Sequence, residues 1–530
     1  MKQITPAVCV RGLLLPLALL LPSLCVAQGS ASTDDIVTLR DRIAAQQKQL
    51  DQQRQALESA QKAIDAQQKL LDRMATAQNA PAAAPAQPVA ALPLVKPAAP
   101  TPAPEEDAMG QEFSPLSFHI GGADFTPGGF MDMSTVWRST DIGSGVATSF
   151  AAVPFSNTAA GRMQEFRSSA ANSRFNLTIT DHPTKNLAVT GYVEGDFYGN
   201  QPASMYVTSN SGTLRMRHFW ANLQFGKWEV LGGQTWTLMT PNRVGVSQVS
   251  SNVFVGLGED SNYLTGLVWG RPGQIRVVYH PDKHWSLATS VESPDQYVTT
   301  AVTMPAFAAT QVDNGSVPTA PNIRPDIAAK VAYDTQVSGK ALHFELAGVS
   351  RQFRTSPAPG VYFGAQGVGG SADTVLEVAK NFRLIATAFY SSGGGRYLVG
   401  LGPDLVVGPD GSISPVHSMA GIAGFEYAVS PKSQIYGYYG GTYFDRNYTV
   451  VSPGNYMGFG FPGSSSSANR QFQEPMFGYY YTLFKNPRYG AVQVITQYAF
   501  LTRAPFYVAP GTPPTAHSNM VFGSLRFTLP

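Results

Sequence analysis

Residues 173–197 read SRFNLTITDHPTKNLAVTGYVEGDF, and they predict two β-strands joined by a tight turn. In the first strand Phe175, Leu177 and Ile179 share one side, and polar residues occupy the other. Such alternation with period two predicts a strand with one apolar face. The tight turn is the stretch 181–186, which contains Asp, His, Pro, Lys and Asn.

The connections between such strands come in two alternating lengths from about residue 126 to the C-terminus. The tight connections are 181–186, 225–227, 281–283, 336–340, 380–381, 430–432 and 485–489. Long Gly-, Pro- and Ser-rich stretches lie between them, for example 138–172, 295–324 and 445–473. A barrel that crosses an outer membrane explains this order, because one rim needs only tight turns and the other carries surface loops.

The number of strands depends on how residues 262–280 are divided. A split at Arg271-Pro272 gives seventeen strands, and an odd number does not close an ordinary bacterial barrel. One strand over 268–280, with Pro272 near its outer end, gives sixteen strands, seven short turns and eight long loops. Eighteen strands is the alternative. Sixteen is a size that leaves an aqueous channel, and the polar face with Ser, Thr, Asn and Gln predicts a wet lumen.

The N-terminal part of the chain has a different composition. Residues 1–27 have two positive charges before a short apolar run and predict a signal peptide. Its removal takes both cysteines and lowers the formal net charge from +2 to about zero, so nothing indicates nucleic-acid binding.

Three further zones follow the predicted signal peptide. Apolar residues at seven-residue intervals predict a coiled coil over 34–77, with a lone solvated helix as the alternative. The Ala/Pro-rich stretch 78–116 predicts an extended linker. Residues 117–530 predict the barrel. The predicted fold class is an all-β transmembrane barrel of about sixteen antiparallel strands with an N-terminal helical coiled coil.

The third long connection, Thr237–Gly266, is unusually apolar for a surface loop. We expect it to fold into the barrel and narrow the pore, with Glu259 and Asp260 facing a basic wall. The alternative is that it covers a neighbouring subunit or the barrel rim.

Side chains at alternate positions of a strand face the lumen. Charged residues at these inward-facing positions are the candidates for the pore wall. Arg174 and Arg276 alternate with apolar neighbours, whereas Arg215 and Arg217 share their parity with Phe219 and Leu223. Arginines in a wet pore create a positive field and bind carboxylates bidentately. Alternatively, these charges pair with one another and stabilise the wall. The full candidate set is Arg174, Glu194, Asp196, Arg215, Arg217, Arg243, Glu259, Asp260, Arg276, Lys330 and Arg351.

No pattern in the sequence indicates an enzyme. No nucleophile elbow stands on a strand-to-helix turn, and His280 and His284 are a weak metal pair. We therefore expect no catalytic residues, no metal and no cofactor.

The order of signal, coiled coil, Pro/Ala spacer and sixteen-stranded barrel resembles the DcaP-like group of outer-membrane porins. Local matches are Ser173-Arg174-Phe175, the stretch 192–197 (YVEGDF), 214–218 (LRMRH) and 232–236 (GGQTW). The resemblance implies a homotrimer in outer-membrane lipid, with the coiled coils joined in the periplasm. It also implies passage of small anionic solutes, including dicarboxylates, through an arginine-lined constriction. The C-terminus departs from many such barrels, because Thr528-Leu529-Pro530 follows Phe527.

The sequence therefore predicts a porin for passive diffusion of small hydrophilic, preferentially anionic solutes. Arg174, Arg215, Arg217 and Arg276 would face Glu259 and Asp260 across the pore. The alternative is a structural tether or adhesin in which the coiled coil is the functional element.

Overall fold

The computed structural model describes residues 114–199, 212–255, 257–313 and 324–530. Sixteen antiparallel strands pair in chain order, and the first pairs with the last, so the sheet closes into a barrel. The strands are β1 Ala123–Arg138, β2 Arg174–Thr184, β3 Leu187–Asp196, β4 Arg215–Phe225, β5 Trp228–Gln234, β6 Gly273–Tyr279, β7 Trp285–Glu292, β8 Asp326–Val337, β9 Lys340–Ala358, β10 Val361–Ala379, β11 Phe382–Ser392, β12 His417–Ser430, β13 Ser433–Phe444, β14 Asn469–Asn486, β15 Gly490–Pro505 and β16 Ala516–Thr528. The prediction of a sixteen-stranded antiparallel barrel is confirmed.

Two short strands extend the edges of β1 without adding a position to the barrel. Glu165–Ser169 pairs with the second half of β1, and β2 pairs with the first half on the same edge. On the other edge β16 ends opposite Phe130, and Phe118–Ile120 pairs with β1 beyond that point. The hydroxyl of Ser114 donates to the carbonyl oxygen of Pro530 at 3.0 Å, which joins the two ends of the barrel domain.

The remaining regular elements belong to the long connections. Two small hairpins are formed by Leu405–Val407 with Ile413–Pro415 and by Asn447–Ser452 with Asn455–Phe459. Short 3-10 helices occupy Phe150–Ala152, Ala160–Arg162, Ser250–Asn252, Ala306–Thr310 and Gly395–Tyr397. Within the described ranges no helix is long and apolar enough to cross a membrane.

All seven predicted tight connections lie at one rim of the barrel. The shortest contain two residues, and Ser338-Gly339 is an example in which both φ angles are positive (53° and 75°). Two consecutive residues with positive φ are the signature of a type I′ hairpin turn. At the opposite, long-loop rim, the prediction of a single strand between residues 262 and 280 is confirmed, but the strand is shorter than the predicted 268–280. It starts after Pro272, at Gly273, because proline cannot donate to the ladder.

The prediction of eight long loops is wrong at one position. β9 and β10 contain 19 residues each and are joined by Pro359-Gly360 alone. Neighbouring strands stop near Ser350, so the rest of this hairpin extends beyond the rim. Its inner face is held by the β7–β8 connection, in which Gln311 donates to the carbonyl oxygen of Ser356 at 2.9 Å.

The outward face of the barrel is apolar. Phe175, Phe219 and Ile275 are 43, 57 and 63% exposed, as expected for lipid-facing side chains. Near the short-turn rim, aromatic rings pair on neighbouring strands, with centroid distances of 4.5 Å for Trp228–Tyr279 and for Trp285–Tyr333. Such a band of aromatic residues is typical of the membrane interface.

The inner face of the barrel is polar only in part. Inward side chains such as Ile385, Ile422 and Phe522 are buried in one apolar cluster with loop residues Phe254 and Leu264. The polar inward residues expected from the alternation coexist with this cluster. Burial of apolar surface therefore holds the inner loops in place.

The predicted signal peptide (1–27), coiled coil (34–77) and nearly all of the linker (78–116) lie outside the described residues. These three domains remain predictions, as does the alternative function of a tether or adhesin.

Candidate pore constriction

The connection 235–272 between β5 and β6, called loop 3 below, lies inside the barrel. Its backbone N–H groups donate to carboxylates of the inner wall. The donor and acceptor pairs are Leu238 with Glu292 at 3.0 Å, Asn242 with Glu345 at 3.1 Å and Thr265 with Glu474 at 3.0 Å. These carboxylates belong to β7, β9 and β14, so loop 3 spans a large part of the interior.

The far turn of loop 3 is held by an ion pair and a backbone hydrogen bond. Arg243 donates to Glu426 on β12, with an Nη1–Oε2 distance of 2.8 Å. The backbone N–H of Gly245 donates to Asp334 on β8 at 2.9 Å. Because Glu426 is fully buried, it depends on Arg243 to compensate its charge.

A glycine of β13 allows loop 3 to approach the wall closely. A Cβ atom at Gly440 would lie 1.9 Å from the carbonyl oxygen of Thr265 and 2.7 Å from a Leu264 side-chain carbon. At the next residue, Gly441, the nearest atom to a Cβ would be the carbonyl oxygen of Phe472, at 3.5 Å. A side chain at Gly440, but not one at Gly441, would therefore collide with loop 3.

We expect Gly440→Val to displace loop 3, lower the unfolding free energy of the barrel by roughly 1–3 kcal/mol and raise single-channel conductance. Gly441→Val is the matched control and should change neither quantity. The measurements are the unfolding temperature of the barrel and planar-bilayer conductance. Equal effects of the two valines would show that loop 3 does not depend on this contact.

Glu259 and Asp260 lie in loop 3, but the structure gives them partners other than the four arginines predicted to oppose them. Glu259 accepts hydrogen bonds from Arg526 at 3.0 Å and Ser134 at 3.1 Å. Asp260 accepts the backbone N–H of Thr148 at 3.2 Å. Burial raises the pKa of Glu259 to about 7 although Arg526 lowers it, so this charge is lost as the pH falls through neutrality.

Arg215 and Arg217 are paired with the two predicted acidic residues of β3. Arg217 contacts Glu194 at 2.6 Å and Asp196 at 2.9 Å, and Arg215 contacts Asp196 at 2.7 Å. A β-bulge in β4 changes which side chains face the lumen. Met216 and His218 pair with consecutive residues of β3, so Arg217 is the extra residue of the bulge. Both arginines therefore point inward while Phe219 points outward.

The other predicted basic residues of the wall lie apart from this group. Lys330 contacts Glu345 at 2.8 Å, and Arg351 contacts Asp326 at 2.9 Å and Asp404 at 2.8 Å. Arg276 donates to the side chain of Gln274 at 3.1 Å and to the carbonyl oxygen of Trp236. All three side chains are buried. The ion pairs of Lys330 and Arg351 fit the alternative in which charges pair with one another and stabilise the wall.

Two arginines near Arg217 have no ion pair within the described residues. Arg174 stacks on Phe130 at 5.3 Å, and its Nε atom is buried without a hydrogen-bond partner. Arg271, at the end of loop 3, stacks on Trp236 at 5.3 Å, and its Nη1 atom is likewise buried and unpartnered. Burial lowers the pKa of Arg271 to about 9, and the neighbouring Arg217 adds to this shift.

The sequence reasoning missed Arg271. Its only signal was its position beside Pro272, which was used to count strands. The side chain becomes relevant because loop 3 returns to the wall near Tyr263, whose hydroxyl lies 3.5 Å from Arg217. We call Arg174, Arg215, Arg217 and Arg271 the arginine cluster.

The arginine cluster contains four guanidinium groups and two carboxylates, Glu194 and Asp196. Guanidinium groups with unused donors bind carboxylates and phosphates by charge-assisted hydrogen bonds. Within the described ranges no group of His, Cys, Asp and Glu side chains could hold a metal ion. The unused hydrogen-bond donors of the arginine cluster belong to the guanidinium groups of Arg174 and Arg271.

Several solved structures similar to this barrel are outer-membrane proteins. The crystal structure of the outer-membrane channel DcaP of Acinetobacter baumannii matches with a TM-score of 0.55 and 20% identity, over 77% of this chain and 97% of that one. The chain has the fold of DcaP. The resemblance predicted from the sequence is confirmed at the level of the fold.

Two other similar structures are more distant. The anion-selective porin from Comamonas acidovorans has 13% identity and a TM-score of 0.43, over 77% of this chain and 99% of that one. OmpF from Salmonella typhi, in a complex with daunomycin, has 10% identity and a TM-score of 0.43, over 78% and 100%. No protein-family model and no curated protein matches the sequence.

Proposed function

We propose that the protein is a passive outer-membrane channel that prefers small anionic solutes such as dicarboxylates. The observation that carries the proposal is the pair Arg174 and Arg271, which keep unpartnered buried donors beside loop 3 inside a closed barrel. Arg215 and Arg217 would add to the field, although Glu194 and Asp196 offset part of it. Loop 3 would set the width of the path, and no catalytic step is involved.

The proposed assembly is a homotrimer in outer-membrane lipid, with the coiled coil of residues 34–77 in the periplasm. The N-terminal strand Phe118–Ile120 and the C-terminal end of β16 both lie at the short-turn rim. Short turns face the periplasm in bacterial outer-membrane barrels. This supports a periplasmic position for the segment that precedes Ser114.

The proposal is tested by solute uptake into liposomes that contain the full-length mature chain. We expect swelling to be faster with succinate than with a neutral solute of similar size, and slowest with a cationic diamine of similar size. The control is protein-free liposomes with the same lipids. Equal rates for the anion and the diamine would contradict the proposed preference.

A further inference from the structure

A cavity that no member of the arginine cluster lines opens at the short-turn rim. It has a volume of about 810 Å³ and lies between the far turn of loop 3 and the turns that join β6 to β7, β8 to β9 and β10 to β11. Charged side chains line it, among them Arg243, Lys283, Asp334, Glu377 and Arg383. We call this cavity the short-turn vestibule.

The carboxylates of the short-turn vestibule already form hydrogen bonds with other groups of the protein. One oxygen of Asp334 bonds to the His343 ring at 2.8 Å, and the other accepts the backbone N–H of Gly245 at 2.9 Å. Glu377 accepts the backbone N–H groups of Ala341 and Asn381, each at 3.3 Å. These acids are therefore held by the protein.

Two cations of the same cavity retain free donors. The Arg383 side chain is 43% exposed, and its Nε atom lies 3.5 Å from a Glu426 oxygen that also accepts from Arg243 at 2.8 Å. Its Nη groups have no hydrogen-bond partner among the described residues. Lys283 is exposed on the β6–β7 turn and forms no ion pair in the described part of the chain.

We propose that the short-turn vestibule is a second binding site for small dicarboxylates, between loop 3 and the short-turn rim. Arg383 would bind one carboxylate bidentately and Lys283 would attract the other as a point charge. A cavity of this volume is within the range of small-molecule sites. The inference rests on the proposed function, since it places a second site on the path of the same solutes.

The test is a planar-bilayer experiment with the full-length chain and succinate added to one side at a time. Channel orientation is assigned with a biotinylated Ser465→Cys variant. Streptavidin blocks the current of this variant only when it is added on the side of the long loops. In the double variant Lys283→Gln/Arg383→Gln, succinate association from the short-turn side should fall about tenfold. Association from the long-loop side should be unchanged.

The matched control is Lys185→Gln/Arg488→Gln, which removes one lysine and one arginine from other turns of the same rim. These two residues are exposed and do not line the cavity. Unchanged succinate association in the first double variant, or the same loss in the control, would overturn the vestibule site. A wild-type channel that prefers cations would instead overturn the proposed function itself.

Discussion

Replacing Arg174 and Arg271 by glutamine is expected to abolish the anion preference of the channel. Neither side chain forms an ion pair in the described residues, so their removal leaves no carboxylate unpaired and the barrel should remain folded. Each unit charge contributes roughly 1 kcal/mol at 4 Å in water, so losing two should slow the passage of anions about thirty-fold and reduce the anion-to-cation permeability ratio by at least that factor. The ratio is measured from reversal potentials in a KCl gradient.

The matched control for this prediction removes two arginines that lie elsewhere. Arg162 and Arg446 are exposed on long connections, and Arg162→Gln/Arg446→Gln makes the same change in net charge. This control should retain wild-type selectivity. If both double variants shift the ratio equally, net charge rather than the arginine cluster determines selectivity.

Breaking the ion pair between Arg243 and Glu426 is expected to release the far turn of loop 3. Glu426→Leu leaves the Arg243 guanidinium without its carboxylate, and an unpaired charge in such a position costs about 3–5 kcal/mol. Tyr438 also loses its acceptor, since its hydroxyl donates to Glu426 at 2.6 Å. We expect a larger and noisier single-channel conductance.

The control for this second prediction removes both charges at once. Arg243→Met/Glu426→Leu leaves no buried charge uncompensated, since Arg383, which also lies near Glu426, is 43% exposed to solvent, and apolar replacements of a buried pair are often tolerated. Its conductance should therefore lie closer to that of the wild type than to that of Glu426→Leu. Wild-type conductance of the Glu426→Leu variant would show that loop 3 is held by its apolar contacts alone.

The strands of the barrel were predictable because their signals are local. Phe175, Leu177 and Ile179 alternate with polar residues, and side chains of a strand alternate between its faces whatever lies nearby. The turns are equally local, which made the count of sixteen strands predictable. The long β9–β10 hairpin was not, because its support comes from Gln311 in a distant connection.

The candidate site was predictable only in part, because its contacts are long-range. The alternation along β3 placed Glu194 and Asp196 on the inner face. Their pairing with Arg215 and Arg217 depends on a bulge in β4 that the sequence pattern does not reveal. The partners of Glu259 depend on where loop 3 crosses the interior. Arg271 gains its importance from Trp236 and Trp269, which only the folded loop brings beneath it.

The most direct test of a passive, anion-preferring channel is the reversal potential of the wild-type chain in a planar bilayer with a KCl gradient. We predict a potential displaced toward the chloride equilibrium value, together with ohmic single-channel currents. A potential displaced toward the potassium value, or no channel activity at all, would contradict the account.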